Sequence, residues 1–248
     1  MSIAKKLPKA FRLLSNAHFA RVLARHHVAA ATEHLEVIRF CAPNTLLDVG
    51  ANKGQFSTAV RGLLPSTEIH AFEPLPEAAE RFSAVFQGDA ATHLYRVALG
   101  PENGAHTFHV TDRDDSSSLL EPSDKQMAAY GVVTSKLIVV EVKTLGSILD
   151  IEVLTRPVLL KIDVQGSELG VLKGISNLEG IDYIYIELSF VELYKDQSLF
   201  EDVRENLAAR GFALRGVVNP SITQAYGPTQ ADCLFVRSNP RPYALPEF

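Results

Sequence analysis

Two stretches, VLLKIDV (158–164) and YIYIELSF (183–190), are apolar at almost every position rather than at alternate ones. A strand with one wet face alternates. A strand covered on both faces does not, and such strands belong to parallel sheets held between layers of helix. From Thr45 onward the shorter runs LLDVG (46–50), EIHAFEP (68–74) and HLYRVALG (93–100) alternate with helical patterns near 54–64, 76–87, 166–174 and 199–210. That alternation predicts an α/β fold with a doubly wound, mostly parallel sheet. FALRGVV (212–218) and ADCLFVRS (231–238) follow one another without an obvious helix between them, which predicts a closing antiparallel hairpin. GAHTFHV (104–110) and KLIVVEVKTL (136–145) lack a crossover helix and read as an inserted β pair, so residues 104–145 form an insertion together with the Ser-rich stretch between them.

The 248 residues suit one full-size domain, taken as 43–248, with an N-terminal helical appendage over 1–42 that Pro43 ends. In the appendage Ile3, Leu7, Phe11 and Leu14, then Phe19, Val22 and Leu23, lie near one stripe. Residues 1–40 hold seven basic side chains against Glu33 and Glu36, a local +5, so the remainder of a chain of net charge -5 carries -10. An acidic body argues against a nucleic-acid partner, whose phosphates need clustered Lys and Arg. The basic, apolar-striped appendage packs on its own domain, or could lie on an anionic membrane or meet a second copy as a homodimer. Cys41 and Cys233 make neither a disulfide framework nor a zinc spacing, and MSIAKKLPKAFRLL has no apolar run after its basic residues; a cytoplasmic protein is expected.

The most informative stretch is LLDVGANKGQFS (46–57), in which a strand ends in Asp48 and Gly50 and a tight loop leads through Gly54 into a helix. Glycine lets backbone approach a ligand, and a helix N-terminus offers free N–H groups and the positive end of its dipole. Glu73 ends the next strand, 23 residues after Gly50, where an acid can accept from both hydroxyls of a ribose. The pair points to a nucleoside-containing cofactor. Dinucleotide loops read G-x-G-x-x-G; counted from Gly50, the second and third glycines are here Asn52 and Gln55. Those departures weigh against an NAD-dependent oxidoreductase and suit a cofactor without pyrophosphate, S-adenosylmethionine.

The runs DVGANKGQFS (48–57), FEPLP (72–76), SSSLL (116–120), VKTLGSIL (142–149) and LLKIDVQGSELGVLKG (159–174) resemble the FkbM family of class I S-adenosylmethionine-dependent methyltransferases, in order, from about Thr45 to Arg237. The resemblance implies a Rossmann-like seven-stranded class I methyltransferase sheet and O-methylation of a hydroxyl on a saccharide, glycan, glycolipid or secondary metabolite. It places Asp48, Gly50, Asn52 and Gly54 around the methionine part of the cofactor, Glu73 at the ribose, and Leu75 with Val97, Ala98 and Leu99 near the adenine. Ala51, Phe56 and Pro74, in the same loops, complete the expected cofactor-binding set.

Methyl transfer to oxygen is an in-line displacement that needs alignment and a group to take the hydroxyl proton. Asp163, at the carboxyl end of the central strand, is the first candidate, and it would also touch the cofactor. Lys161 lies on the same face and must pair with a carboxylate, Asp163 or another, because an unpaired buried ammonium is costly. Glu168, at the start of the next helix, and Glu187, at the end of the neighbouring strand, are further catalytic candidates. Asp163 and Glu187 could instead hold a divalent cation, but two carboxylates fall short of a ligand set and no metal ligand is assigned. His18, His26, His27 and His34 read as a solvated helix face; His106 and His109 could overhang the site from the inserted β pair. Ser116, Ser117 and Ser118 are expected near the acceptor. After Asp163 stand Val164, Gln165 and Gly166 rather than the N/D-P-P-aromatic motif of amino-methyltransferases on nucleic acid. A non-catalytic cofactor-binding protein on the same fold is the remaining alternative.

Overall fold

A computed structural model describes residues 12–238. Its strands are β1 (Thr45–Val49), β2 (Glu68–Phe72), β3 (Thr92–Tyr95), β4 (Ala98–Leu99), β5 (Gly104–Thr111), β6 (Thr134–Lys143), β7 (Val158–Ile162), β8 (Tyr183–Ser189), β9 (Phe212–Thr223) and β10 (Gly227–Arg237). The helices are α1 (Ala17–His26), α2 (Leu35–Cys41), α3 (Gln55–Leu63), α4 (Pro76–Val85), α5 (Asp124–Tyr130), α6 (Glu168–Lys173) and α7 (Phe200–Ala209). Seven strands form one sheet in the order β3-β2-β1-β7-β8-β10-β9. The pairs within β3-β2-β1-β7-β8 are parallel, and β10 runs antiparallel to both β8 and β9. This is a doubly wound seven-stranded sheet, and the strand order reverses between β1 and β7, where such sheets open a crevice. Every residue of β1 and β7 is buried, the physical reason that these runs do not alternate.

Three details differ from the sequence expectation. The run 93–100 is not one strand: β3 joins the large sheet, whereas β4 joins a separate three-stranded sheet of order β4-β6-β5. Thus β5 and β6 do pair antiparallel, but a third strand from the main chain path anchors them. The closing hairpin is longer than the two apolar runs, because β9 continues through Asn219 and Pro220 and β10 begins at Gly227. Proline is tolerated there because β9 is an edge strand and register shifts interrupt the β9–β10 ladder around Pro228.

The N-terminal segment is broken rather than continuously helical: α1 and α2 are separated by a stretch that ends in a turn of 3₁₀ helix at Thr32–His34. Phe19, Val22 and Ile38 are buried, and Leu13, Phe19 and Ile38 share a core with Phe56 and Val60 of α3 and Leu46 of β1. The aromatic ring of Phe19 sits over Gly62, where a Cβ would lie 2.1 Å from it. Within the described residues the apolar stripe therefore faces the protein's own core, apart from the exposed Leu14. Ile3, Leu7 and Phe11 lie outside the described residues. No helix among them is long and apolar enough to cross a membrane.

Candidate active site

The register of the sheet sets the site. Val49 is level with Phe72 on one side and with Ile162 on the other, Ile162 with Ile186, and Glu187 with Asp232. One residue further along, Glu73, Gly50, Asp163, Glu187 and Asp232 fall in a single row, just past the carboxyl ends of β2, β1 and β7 and then through β8 and β10. At the usual strand spacing the row spans roughly 19 Å. Two residues earlier lie Asp48, Lys161 and Tyr185, on the same face by alternation. Above the row is a cavity of about 530 Å³, within the usual range of small-molecule sites, roughly 300–1,000 Å³.

The β1–α3 loop is shaped by contacts that only its residue types permit. Gly50 has φ +75°, and a Cβ there would stand 1.8 Å from the Asp163 carbonyl oxygen, so the ends of β1 and β7 approach through the missing side chain. Asn52 has φ +47°, a region that Asn enters more readily than most residues, and its Oδ1 accepts from Lys53 N at 2.7 Å. Gly54, at φ +87°, is the N-cap of α3 and makes no side-chain cap, which leaves first-turn amides beside the cavity-lining Gln55 and Phe56.

Glu73 is buried, with Oε2 accepting from Asn52 N and Oε1 from Leu75 N, both at 2.8 Å. Burial pushes its carboxyl up to about 7, against the pull of those two amides. A carboxylate has about four acceptor sites, so two remain for a diol.

The Lys161 ammonium lies 3.1 Å from Asp48 Oδ1 and 3.9 Å from Asp163 Oδ2, and it donates to Gly50 O at 2.8 Å. Of the two pairings open to it, Asp48 is the closer. Burial alone would lower its pKa, but the Asp48 and Asp163 carboxylates outweigh burial and raise it. Asp48 is 0% exposed and its Oδ2 accepts from Ser57 Oγ at 2.6 Å, so Asp48 supports the loop from beneath. Asp163, with a side chain 41% exposed, receives Gln165 Nε2 at 2.7 Å. The same amide donates to Glu187 Oε2 at 3.0 Å, as does Gln230 Nε2. Burial first, then Asp163 and Asp232, raises the Glu187 carboxyl well above the usual range.

Of the residues expected from sequence, Gly50, Ala51, Asn52, Phe56, Glu73, Pro74, Leu75, Ala98, Leu99, Lys161, Asp163 and Glu187 line the cavity. Asp48, Gly54, Val97 and Glu168 are not among the lining residues. Asp48 and Glu168 are buried under the loops; Glu168 Oε1 accepts from Gly166 N at 2.9 Å, and burial pushes its carboxyl up to about 7. Gly54 is covered by Phe82 and Phe86. Glu187 lies inside β8 rather than at its end, brought level with Asp163 by register. His106 and His109 are not among the lining residues, whereas Phe108 between them is. The Ser-rich loop is at the site: Ser117 lines it and Ser118 Oγ donates to Gln165 O at 2.6 Å, clamping the insertion to the loop after β7. Among the described residues no group of three or more His, Cys, Asp or Glu could hold a metal ion.

Several lining residues carry no signal in the sequence. His34, expected on a solvated face, lines the cavity with Tyr185 and Asp232. His34 Nδ1 is 2.8 Å from the Tyr185 hydroxyl and 3.5 Å from Asp232 Oδ2, and Asn219 Nδ2 donates to Asp232 Oδ2 at 2.9 Å. Only the pairing of Asp232 with Glu187 across β8 and β10, invisible without the register, could have marked that residue.

The methyltransferase FkbM domain family matches residues 48–214. Methyltransferase 1 of Beauveria bassiana is 27% identical over 72% of this chain and 76% of its own length. The 2-O-methyltransferase NoeI of Sinorhizobium fredii is 30% identical over 61% of this chain and 66% of its own. Among solved structures, magnesium protoporphyrin IX methyltransferase from Synechocystis PCC 6803 aligns with a TM-score of 0.44 at 11% identity, over 96% of this chain and 99% of that one.

Proposed function

The chain belongs to the FkbM family of methyltransferases, and from that premise we propose that it transfers the methyl group of S-adenosylmethionine to a hydroxyl oxygen of a neutral, hydroxyl-rich acceptor such as a saccharide, glycolipid or secondary metabolite. The observation that carries this reading is the row of side chains above the sheet. Read from β2 to β10, it runs from a ribose-type acid, Glu73, through an open glycine loop to three carboxylates. The residues fit the cofactor. Glu73 keeps two acceptor sites for the ribose hydroxyls, Leu75, Ala98 and Leu99 give an apolar slot for the adenine, and the first turn of α3 suits the carboxylate of the methionine end. When bound, that cofactor supplies an electrophilic methyl on a sulfonium.

The chain's own work is then alignment and proton removal. Asp163, held by Gln165 and facing the cavity at the middle of the row, is placed to take the proton of the acceptor hydroxyl whose oxygen would receive the methyl. Lys161 keeps Asp163 oriented and offsets the charge of Asp48 beneath it. Glu187, whose carboxyl is raised chiefly by burial and is held by Gln165 and Gln230, lines the cavity beside Asp163 and offers an oxygen to a second group of the acceptor. A row of carboxyl groups, Asp163, Glu187 and Asp232, suits a neutral hydroxyl-bearing acceptor better than an anionic one, nucleic acid included. The name of NoeI, a 2-O-methyltransferase, supports oxygen as the target. Calorimetry with S-adenosylmethionine, S-adenosylhomocysteine and NAD, followed by methyl transfer to a panel of neutral saccharides, tests the proposal. Binding of NAD alone refutes it.

A further inference from the structure

The cofactor half of the row, Glu73 to Asp163, lies within the family match at 48–214, whereas much of the other half does not. His34 comes from the segment before that match, and Asn219 and Asp232 come from the hairpin after it. The two flanks meet at Tyr185 of β8. The polar contacts of the His34 ring with the described residues run through Nδ1, toward Tyr185, Asn219 and Asp232. Since His34 lines the cavity, Nε2 is the ring nitrogen left for a ligand. Asp232 receives Asn219 and lies beside the Tyr185 hydroxyl, fewer donors than the roughly four a carboxylate can accept. The floor between them is aromatic: the Phe56 ring lies 5.4 Å from His34 and 6.0 Å from Tyr185. An imidazole nitrogen and a carboxylate over an aromatic floor suit a ring that carries hydroxyls on its edge and C–H groups on its face.

We propose that His34 and Asp232, with Asn219 fixing Asp232, form a recognition subsite that binds a second hydroxyl of the acceptor and sets which hydroxyl reaches Asp163. The proposal rests on the hydroxyl-methylation reading above. Its residues position the acceptor and touch no reacting atom. Because β10 is two strands from β7, the hydroxyl bound there lies about 10 Å along the row from the one methylated, which calls for an acceptor at least as long as a pyranoside with a substituent.

The test uses the full chain loaded with S-adenosylhomocysteine and titrated with neutral methyl glycosides and disaccharides, together with steady-state methyl transfer from S-adenosylmethionine. Asp232→Asn and His34→Gln should weaken binding or raise KM for the acceptor about ten- to hundredfold, with kcat within a few-fold and S-adenosylhomocysteine affinity unchanged. A deoxy analogue lacking the recognised hydroxyl should bind parent and variants equally. Variants that bind every glycoside as the parent does, or that lose cofactor affinity in parallel, overturn the subsite. So does a parent that binds no saccharide. Binding of glycosides by the parent without methyl transfer would instead overturn the O-methylation reading and leave the subsite in place.

Discussion

Glu73 offers the sharpest test of the cofactor assignment, because its two roles respond to pH in opposite directions. In the fold its carboxyl is pushed up from 4.5 to about 7, chiefly by burial. A raised acid leaves the fold most stable below pH 4.5 and costs stability as pH rises through about 7; the difference corresponds to about 3 kcal/mol at most. Ribose hydroxyls, in contrast, donate to the ionised form. Cofactor affinity should therefore be level above pH 7 and fall about tenfold for each pH unit below it, since binding then requires loss of a proton. In Glu73→Gln the amide turns an N–H₂ toward one of the two backbone donors, Asn52 N or Leu75 N, and loses the charge. Affinity at pH 8 should drop about ten- to hundredfold, from the loss of charged hydrogen bonds worth about 1.5–3 kcal/mol. The slope below pH 7 should vanish. Calorimetry with S-adenosylhomocysteine from pH 5.5 to 8.5 reads both. Glu168→Gln is the control, because Glu168 also titrates near 7 but lies outside the cavity lining, so that variant should keep the slope. A slope that survives in Glu73→Gln, or a variant affinity at pH 8 equal to that of the parent, would show that Glu73 does not hold the ligand.

Gly50→Ala places a methyl 1.8 Å from the Asp163 carbonyl at a left-handed φ, and should destabilise the fold by several kcal/mol in urea denaturation. Lys161→Met leaves the Asp48 carboxylate buried without its cation, at a cost of about 3–5 kcal/mol; adding Asp48→Asn should recover part of that loss. Asp163→Asn should lower kcat for methyl transfer by 10²-fold or more while cofactor affinity changes by less than about threefold, and parental turnover would disprove its role.

Periodicity determined the α/β class, the covered β7 and β8, and the helices between the strands, because a strand that is apolar on both faces must be covered on both. Glycine chemistry did the same for the β1–α3 loop, since a backbone that closes against Asp163 admits no side chain at Gly50. The split of 93–100 between two sheets, the length of the hairpin and the broken N-terminal helix depended on partners distant in the chain. The pairing of Lys161 was legible only as a requirement; that Asp48 meets it was decided by the β1–β7 register. Glu73 and Asp163 could be read because each follows a strand within a recognisable motif. His34, Asn219 and Asp232 could not, because what makes them a site is that segments about 185 to 200 residues apart in sequence converge on Tyr185. Strand order and register, set by the pairing of whole strands, decide that meeting, and no local pattern encodes it.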